Sequence, residues 1–156
     1  MAVIFISFIH EESGTAEAVM RFLRKYIKKA DIFLASDQWT VYAGEDWLER
    51  IKEELSSAKV IILLLSPASV KRPWVNFEAG AAWLSDKVII PVCFNGLHKD
   101  AMPKPYSNFQ GSSLEDEDGP YYLLKSIFHH ITDLGITPPP LASDDPDVGE
   151  IRASYR

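Results

Sequence analysis

The sequence predicts an α/β fold in which helices flank both faces of a parallel sheet of five strands. From the first residues onward, short apolar runs alternate with segments that repeat apolar residues every three to four positions. This alternation is typical of βαβ units, whose strands are parallel. The chain has 156 residues, 47% of them hydrophobic and 24% charged, which is the size and composition of one globular domain.

Five segments are predicted to be strands. Four are apolar runs, as expected for strands buried on both faces, and a fifth is faintly indicated. They are residues 3–8, 32–35, 60–65, 88–94 and 109–114. The order of strands and helices favours a flavodoxin-like three-layer sandwich with strand order 2-1-3-4-5, whose ligand crevice lies between strands one and three.

Four helices are predicted between and after these strands. The first carries an apolar stripe and two candidate caps, the second has two acidic residues at its positive end, the third begins at Pro73, and the last covers residues 120–134. The stripe of the first helix contains Val19, Phe22, Leu23, Tyr26 and Ile27, with Ser13 and Thr15 as caps. The second helix has Leu48, Ile51, Leu55 and Ala58 on its stripe, after Glu45 and Asp46.

The chain changes character after Gly135. Three consecutive prolines, 138–140, precede an acidic stretch at 143–147, and such a composition is too polar to join a core. The sequence therefore predicts a domain at 1–135 and a tail or linker at 136–156, whose removal is expected to leave stability nearly unchanged.

Charge and hydropathy exclude several classes of partner. The net charge of −6 argues against a general nucleic-acid binder, and no apolar run approaches the roughly 20 residues of a membrane span. The chain enters a strand without a signal-like segment, so a cytoplasmic location is expected. Cys93, the one cysteine, lies within an apolar run and is interpreted as a buried structural thiol rather than a nucleophile.

The loops at the predicted crevice disagree with two other functions of this architecture. A phosphoacceptor receiver needs an Asp at the end of strand three, where this chain has Ser66. A flavodoxin needs a phosphate loop after strand one, where Glu11 and Glu12 would repel a phosphate. No metal is expected, because His10 has no second histidine at a zinc-binding spacing and the adjacent His129 and His130 should point apart.

The most informative stretch is residues 72–83, which follows the third strand. Pro73 suits a first helical position, and Trp74 and Glu78 then lie four apart on one helical face. Two interpretations remain open for this pair. In the first, the indole belongs to the core and the carboxylate is a first-turn residue that the helix dipole stabilises. In the second, both side chains border a ligand at the carboxyl edge of the sheet.

These segments together resemble the TIR (Toll/interleukin-1 receptor) domain family in its bacterial form. The opening strand at 3–8 is similar to the first box of the family, and residues 36–48 resemble the loop after strand two and the start of the second helix. The segment from strand three to Ser66-Pro67, followed by Arg72, Trp74 and Glu78, is similar to the family's Trp-x-x-x-Glu region. The resemblance covers about residues 2–134.

The resemblance implies one of two activities: cleavage of NAD at the nicotinamide glycosidic bond, or non-enzymatic signalling by assembly of TIR domains. Nicotinamide leaves NAD as a neutral molecule and needs no proton, so one carboxylate suffices where most glycosidases need two. Glu78 would stabilise the oxocarbenium-like ribose electrostatically. The chain is therefore expected to be an NAD glycohydrolase or ADP-ribosyl cyclase, and the transfer of the ribose to water or to the adenine ring stays open.

Five further residues are candidate contacts to NAD, which is a substrate here and not a cofactor; no cofactor is expected. Phe8 and Trp39 are candidate aromatic walls, Ser7 and Asp37 candidate polar contacts, and Trp74 either core or a border of the nucleotide. A structural role is the alternative for each. The resemblance also implies self-association through TIR–TIR contacts, a role in bacterial anti-phage immune signalling, and an additional effector or sensor domain as partner.

Overall fold

The computed structural model describes residues 3–28, 31–36, 47–72, 80, 87–131, 138, 140–141 and 145–156, the side chains of 47 and 48 excepted. Its five strands are β1 (Ile4–Phe8), β2 (Ile32–Ser36), β3 (Val60–Leu65), β4 (Val88–Cys93) and β5 (Ser112–Ser113). They form one parallel sheet in the order β2-β1-β3-β4-β5. The predicted fold class and strand order are confirmed.

Helices cover both faces of this sheet. The described helices are α1 (Ser13–Tyr26), α2 (Trp47–Ser57), α3 (Gly119–His130) and α4 (Pro146–Ala153). Side chains alternate between the faces along each strand, so Ile4, Ile6 and Phe8 pack with α1, α3 and α4, whereas Phe5 packs with α2. The result is the expected three-layer sandwich, with β3 buried at every position in its middle.

The apolar stripe of α1 is confirmed, as is that of α2 at Ile51, Leu55 and Ala58, but the predicted caps of α1 are wrong. Glu45, Asp46 and the side chain of Leu48 lie outside the described part of the chain. Ser13 is already the first residue of α1, and Glu12 precedes it without a side-chain capping bond. Thr15 lies inside the helix, where its hydroxyl is 2.7 Å from the hydroxyl of Ser154. A 3-10 turn at His10–Glu12 leads directly into α1, so the helix begins earlier than its hydroxyl residues suggest.

The third and fourth predicted helices differ in how far the structure tests them. The helix expected from Pro73 falls outside the described residues apart from Gly80, which is helical. The last predicted helix is confirmed as α3, although it ends at His130 instead of Leu134, which is itself not described. Ile131 has extended backbone angles and is buried, so the chain leaves the helix there.

The fifth strand is much shorter than predicted, because the chain before it turns. A 3-10 turn at Tyr106–Asn108 ends directly before the predicted segment, and the Phe109 N–H is still bonded to the Tyr106 carbonyl of that turn. Only Ser112 and Ser113 pair with β4. The chain then returns very closely at Gly119, where a Cβ atom would lie 1.8 Å from the Ser113 carbonyl oxygen. Only glycine fits that approach.

The expectation that the C-terminal segment stays off the core is wrong for residues 145–156, whereas the division at residue 135 remains a prediction. Ile151 of α4 is 1% exposed within the main core cluster. Leu141, Val148 and Tyr155 pack partly buried against the same cluster. The rings of Tyr155 and Phe94 are 5.3 Å apart. Four apolar side chains are thus enough to attach this polar segment.

Polar contacts fix α4 on α1. Asp145 caps α4 by accepting a hydrogen bond of 2.9 Å from the Asp147 N–H, and its side chain is 2% exposed. The Tyr26 hydroxyl and the Lys25 ammonium donate to it at 2.6 and 3.0 Å. Burial alone would raise the pKa of Asp145, but these three hydrogen bonds outweigh it and lower the pKa. The ionised form is therefore favoured by folding, and this contribution is lost in acid, below about pH 4.

Within the described residues, no helix combines the length and the apolar composition needed to cross a lipid bilayer.

Candidate functional site

The crevice between the carboxyl ends of β1 and β3 is the candidate site. The two strands are neighbours in register, with Ser7 opposite Leu63. From β1 the chain continues into α1 on one face, whereas α2 covers the other face. In open α/β sheets a ligand binds where connections diverge in this way, outside the carboxyl ends of the strands.

Of the six site residues predicted from the sequence, Ser7 and Phe8 are described, and they lie at the end of β1. Ser7 is fully buried, and Phe8 is 5% exposed within the core cluster beneath α1. Because successive strand residues point to opposite faces, the two side chains do not share one face of the sheet. The packing of Phe8 agrees with its structural alternative; roles for both residues in NAD binding stay predictions.

The other four predicted site residues, Asp37, Trp39, Trp74 and Glu78, lie outside the described residues. The structure nevertheless describes Arg72, the residue just before the Pro73 segment. Its guanidinium forms an ion pair with the carboxylate of Glu11, which follows β1. The chain therefore enters the segment that carries Trp74 and Glu78 beside the carboxyl end of β1.

A pair of serines shapes the turn after β3. The Ser66 hydroxyl accepts a hydrogen bond of 3.1 Å from the Ser69 N–H, and the Ser69 hydroxyl accepts one of 2.7 Å from the Ser66 N–H. The Ser69 hydroxyl lies 3.2 Å from the Leu64 carbonyl, to which it can donate. Both serines are fully buried. These reciprocal bonds hold the Ser66 hydroxyl at a fixed position in the crevice.

Glu12 also lies near this crevice, and the sequence predicted no role for it. Its side chain is partly buried and interacts with the Ser66 hydroxyl across the gap between β1 and β3. Desolvation raises the pKa of Glu12; the Ser66 hydrogen bond lowers it, Glu11 raises it and Arg72 lowers it, and the net shift is upward. An acidic residue four positions after the first strand was the available signal, but it was used only to argue against a phosphate loop.

The other residues considered for a chemical role are Cys93 and the pair His129 and His130. Cys93 is fully buried, and burial raises its pKa to about 12, so the interpretation as a structural thiol is confirmed. The rings of His129 and His130 lie 5.0 Å apart in an edge contact, so the expectation that they point apart is wrong. In the part of the chain that is described, no three histidine, cysteine or acidic side chains are grouped as a metal site would need.

Comparisons with known proteins agree with this architecture. The family model described as "TIR domain" matches residues 4–121. A C. gigas TIR-STING receptor superposes with a TM-score of 0.60 at 17% identity, over 84% of this chain and 41% of that one. The same receptor in complex with 2′,3′-cGAMP superposes with a TM-score of 0.53 at 18% identity, over 99% of this chain and 39% of that one. No curated protein sequence matches.

At such identities the two superpositions support the fold alone, and this chain spans about two fifths of the length of those receptor chains. The family match is of a different kind, because it covers most of the chain, from the start of β1 into α3. The chain belongs to the TIR domain family.

Proposed function

We propose that this TIR domain cleaves NAD at the bond between nicotinamide and ribose, and that Glu78 is the catalytic carboxylate. The observation that supports it is the Trp74-x-x-x-Glu78 sequence in a TIR chain whose Arg72 pairs with Glu11 at the crevice. Arg72, which directly precedes that segment, pairs with Glu11 near the edge of the sheet at which α/β proteins bind nucleotides. We also propose that the chain is of bacterial origin.

The chemistry requires one preorganised negative charge. As the C1′–N bond breaks, its electrons neutralise the pyridinium nitrogen and positive charge develops on the ribose. Glu78 would stabilise that charge in a poorly hydrated crevice, where an ion interacts more strongly than it does in water. The products are nicotinamide and either ADP-ribose or a cyclic isomer, depending on whether water or the adenine ring takes the ribose carbon.

The residues proposed to contact the substrate are those predicted from the sequence. Ser7 and Asp37 would supply polar contacts, and Trp39, Trp74 and Phe8 would supply aromatic contacts. The burial of Phe8 in the core leaves the two tryptophans as the better candidates for stacking. Incubation of the purified protein with NAD, followed by chromatography of the products, tests the proposal; a domain that acts only by assembly would leave NAD intact.

We further propose that the protein works by self-association in the bacterial cytoplasm, as part of anti-phage signalling, with a sensor or effector domain as partner. If a neighbouring subunit completes the site, specific activity should rise as the protein concentration is raised across two decades. Rates of nicotinamide release at constant NAD measure this, with light scattering as a record of association. A flat dependence, together with cleavage by the monomer, would contradict assembly-linked activity.

Replacing Trp39 with alanine should weaken the use of NAD far more than it weakens the fold. Trp39 follows β2 closely among polar neighbours, where its indole has no apolar stripe to join. Stacking of a base on an aromatic side chain contributes roughly 1–3 kcal/mol. We expect KM for NAD to rise about tenfold, with a melting temperature within a few degrees of wild type. A large loss of stability with unchanged kinetics would instead make Trp39 a core residue.

A further inference from the structure

Glu12 lies where the two central strands end. It follows β1 by four residues, through the 3-10 turn at His10–Glu12, and precedes the first residue of α1. Ser66, with which its carboxyl group interacts, is the first residue after β3. Glu12 is therefore positioned by the two strands that border the candidate site.

One oxygen of Glu12 lacks a hydrogen-bond donor. Oε1 is buried and has no hydrogen-bond partner among the described residues. The side chain makes no capping bond to the helix that it precedes, so local structure does not explain its burial. A carboxylate oxygen that is removed from water and left unpaired destabilises a protein. Such a group is better tolerated if a ligand supplies the missing donor.

Burial has the larger effect on the pKa of Glu12 and raises it, and Ser66 is the hydrogen-bond partner that lowers it. The Ser66 hydroxyl already accepts the Ser69 N–H, which leaves its own proton free to be donated to the carboxylate. The Ser66–Ser69 turn in turn is buried and bonded to the end of β3. The partner of the Glu12 carboxyl group is thus fixed by the fold, as the support of a binding residue should be.

We infer that Glu12 is a second carboxylate of the NAD site, which accepts a hydrogen bond from a ribose hydroxyl group of the substrate. This inference rests on the proposed function. Ribose hydroxyls are donors, and a carboxylate that accepts from one is a common device for holding a dinucleotide on an α/β sheet. Glu12 binds and orients the substrate in this assignment, whereas Glu78 stabilises the charge of the transition state.

The first test compares Glu12→Gln with Glu17→Gln, the same chemical change at an exposed position of α1. Hydrogen bonds to charged groups are stronger than those to neutral groups, so Glu12→Gln should raise KM for NAD by about tenfold while kcat changes less. Glu17→Gln should behave as wild type. Melting temperatures of both variants show whether the fold is kept.

Analogues of NAD that each lack one ribose hydroxyl identify the contact. On the analogue that lacks the hydroxyl bound by Glu12, the kcat/KM of wild type should exceed that of Glu12→Gln by much less than it does on NAD. The ratio of the two proteins on one analogue cancels that analogue's own reactivity. An equal ratio on NAD and on every analogue would overturn the inference, because a structural role for Glu12 predicts that result.

The pH profile provides a readout that packing alone would not change. Ionised Glu12 is the acceptor, so substrate binding should weaken as pH falls through its raised pKa, and Glu12→Gln should move the acid limb of kcat/KM to lower pH. Among the described residues, Glu11 and Arg72 are the charged groups that act on it. Glu11→Gln should therefore move the limb down, and Arg72→Gln should move it up.

The outcomes separate the two proposals. If wild type releases no nicotinamide at any pH or concentration, the proposed function fails and this inference fails with it. If wild type cleaves NAD while Glu12→Gln keeps the KM and the acid limb of wild type, the inference alone is overturned.

Discussion

Glu78→Gln is expected to reduce the rate of NAD cleavage by about 10²–10³-fold, the usual effect of removing one preorganised electrostatic stabiliser. The amide keeps the shape of the side chain and loses its charge, so the oxocarbenium-like ribose loses its counter-charge. The loss should appear in kcat more than in KM, because the charge develops only in the transition state. Initial rates of nicotinamide release under saturating NAD measure it.

Glu53→Gln is the matched control, because Glu53 is exposed on α2 and the substitution is the same. It should keep the rate of wild type. If Glu78→Gln also cleaves NAD within a few-fold of wild type, another group carries the reaction. A loss of activity accompanied by a large fall in melting temperature would mean that Glu78 acts through the fold.

Ile151→Ala should lower the melting temperature by at least about 4 °C. Ile151 is 1% exposed, and truncating such a side chain to alanine usually costs about 2–5 kcal/mol. For a chain of this size each kcal/mol corresponds to about 2–4 °C. Deletion of residues 136–156 should cost more, because it also removes Val148, Tyr155 and the buried Asp145.

Arg156→Ala controls for the loss of a long side chain at an exposed position of the same segment. It should leave the melting temperature unchanged, as measured by differential scanning calorimetry. Equal melting temperatures for wild type, Ile151→Ala and the deletion would show that the C-terminal helix contributes nothing to the folded state, against the packing described above.

The centre of the sheet could be predicted from the sequence because its strands are largely apolar runs. β3 illustrates this: all six residues of Val60–Leu65 are apolar and all are buried. The helices could be predicted for a related reason, since α1 places Val19, Phe22 and Leu23 on one buried stripe. Strand order then followed from the alternation of strands and helices.

The C-terminal helix was missed because its stability depends on contacts far away in the sequence. Its apolar residues are too sparse to form a helical stripe, and its neighbours are prolines and acids. What stabilises it is Asp145 beneath Lys25 and Tyr26, and Arg152 donating to the carbonyls of Leu114 and Asp116. These long-range contacts cannot be predicted from the composition of the segment.

The candidate site was only partly predictable for a similar reason. The sequence indicated the carboxyl edge of the sheet as the candidate site, because parallel strands end together there. It gave no role to Glu12, because the features that distinguish this carboxyl group are a buried oxygen and a partner, Ser66, fifty-four positions away. Glu11 is also a glutamate and is adjacent, yet it is exposed and paired with Arg72.

The most direct test of the account is a time course of NAD with purified wild-type protein at high local density, for instance immobilised on beads. NAD should disappear with equimolar release of nicotinamide, and the second product should be ADP-ribose or a cyclic isomer, distinguished by mass. NAD that remains intact beside folded, self-associated protein would contradict it and leave this TIR domain as an assembly module.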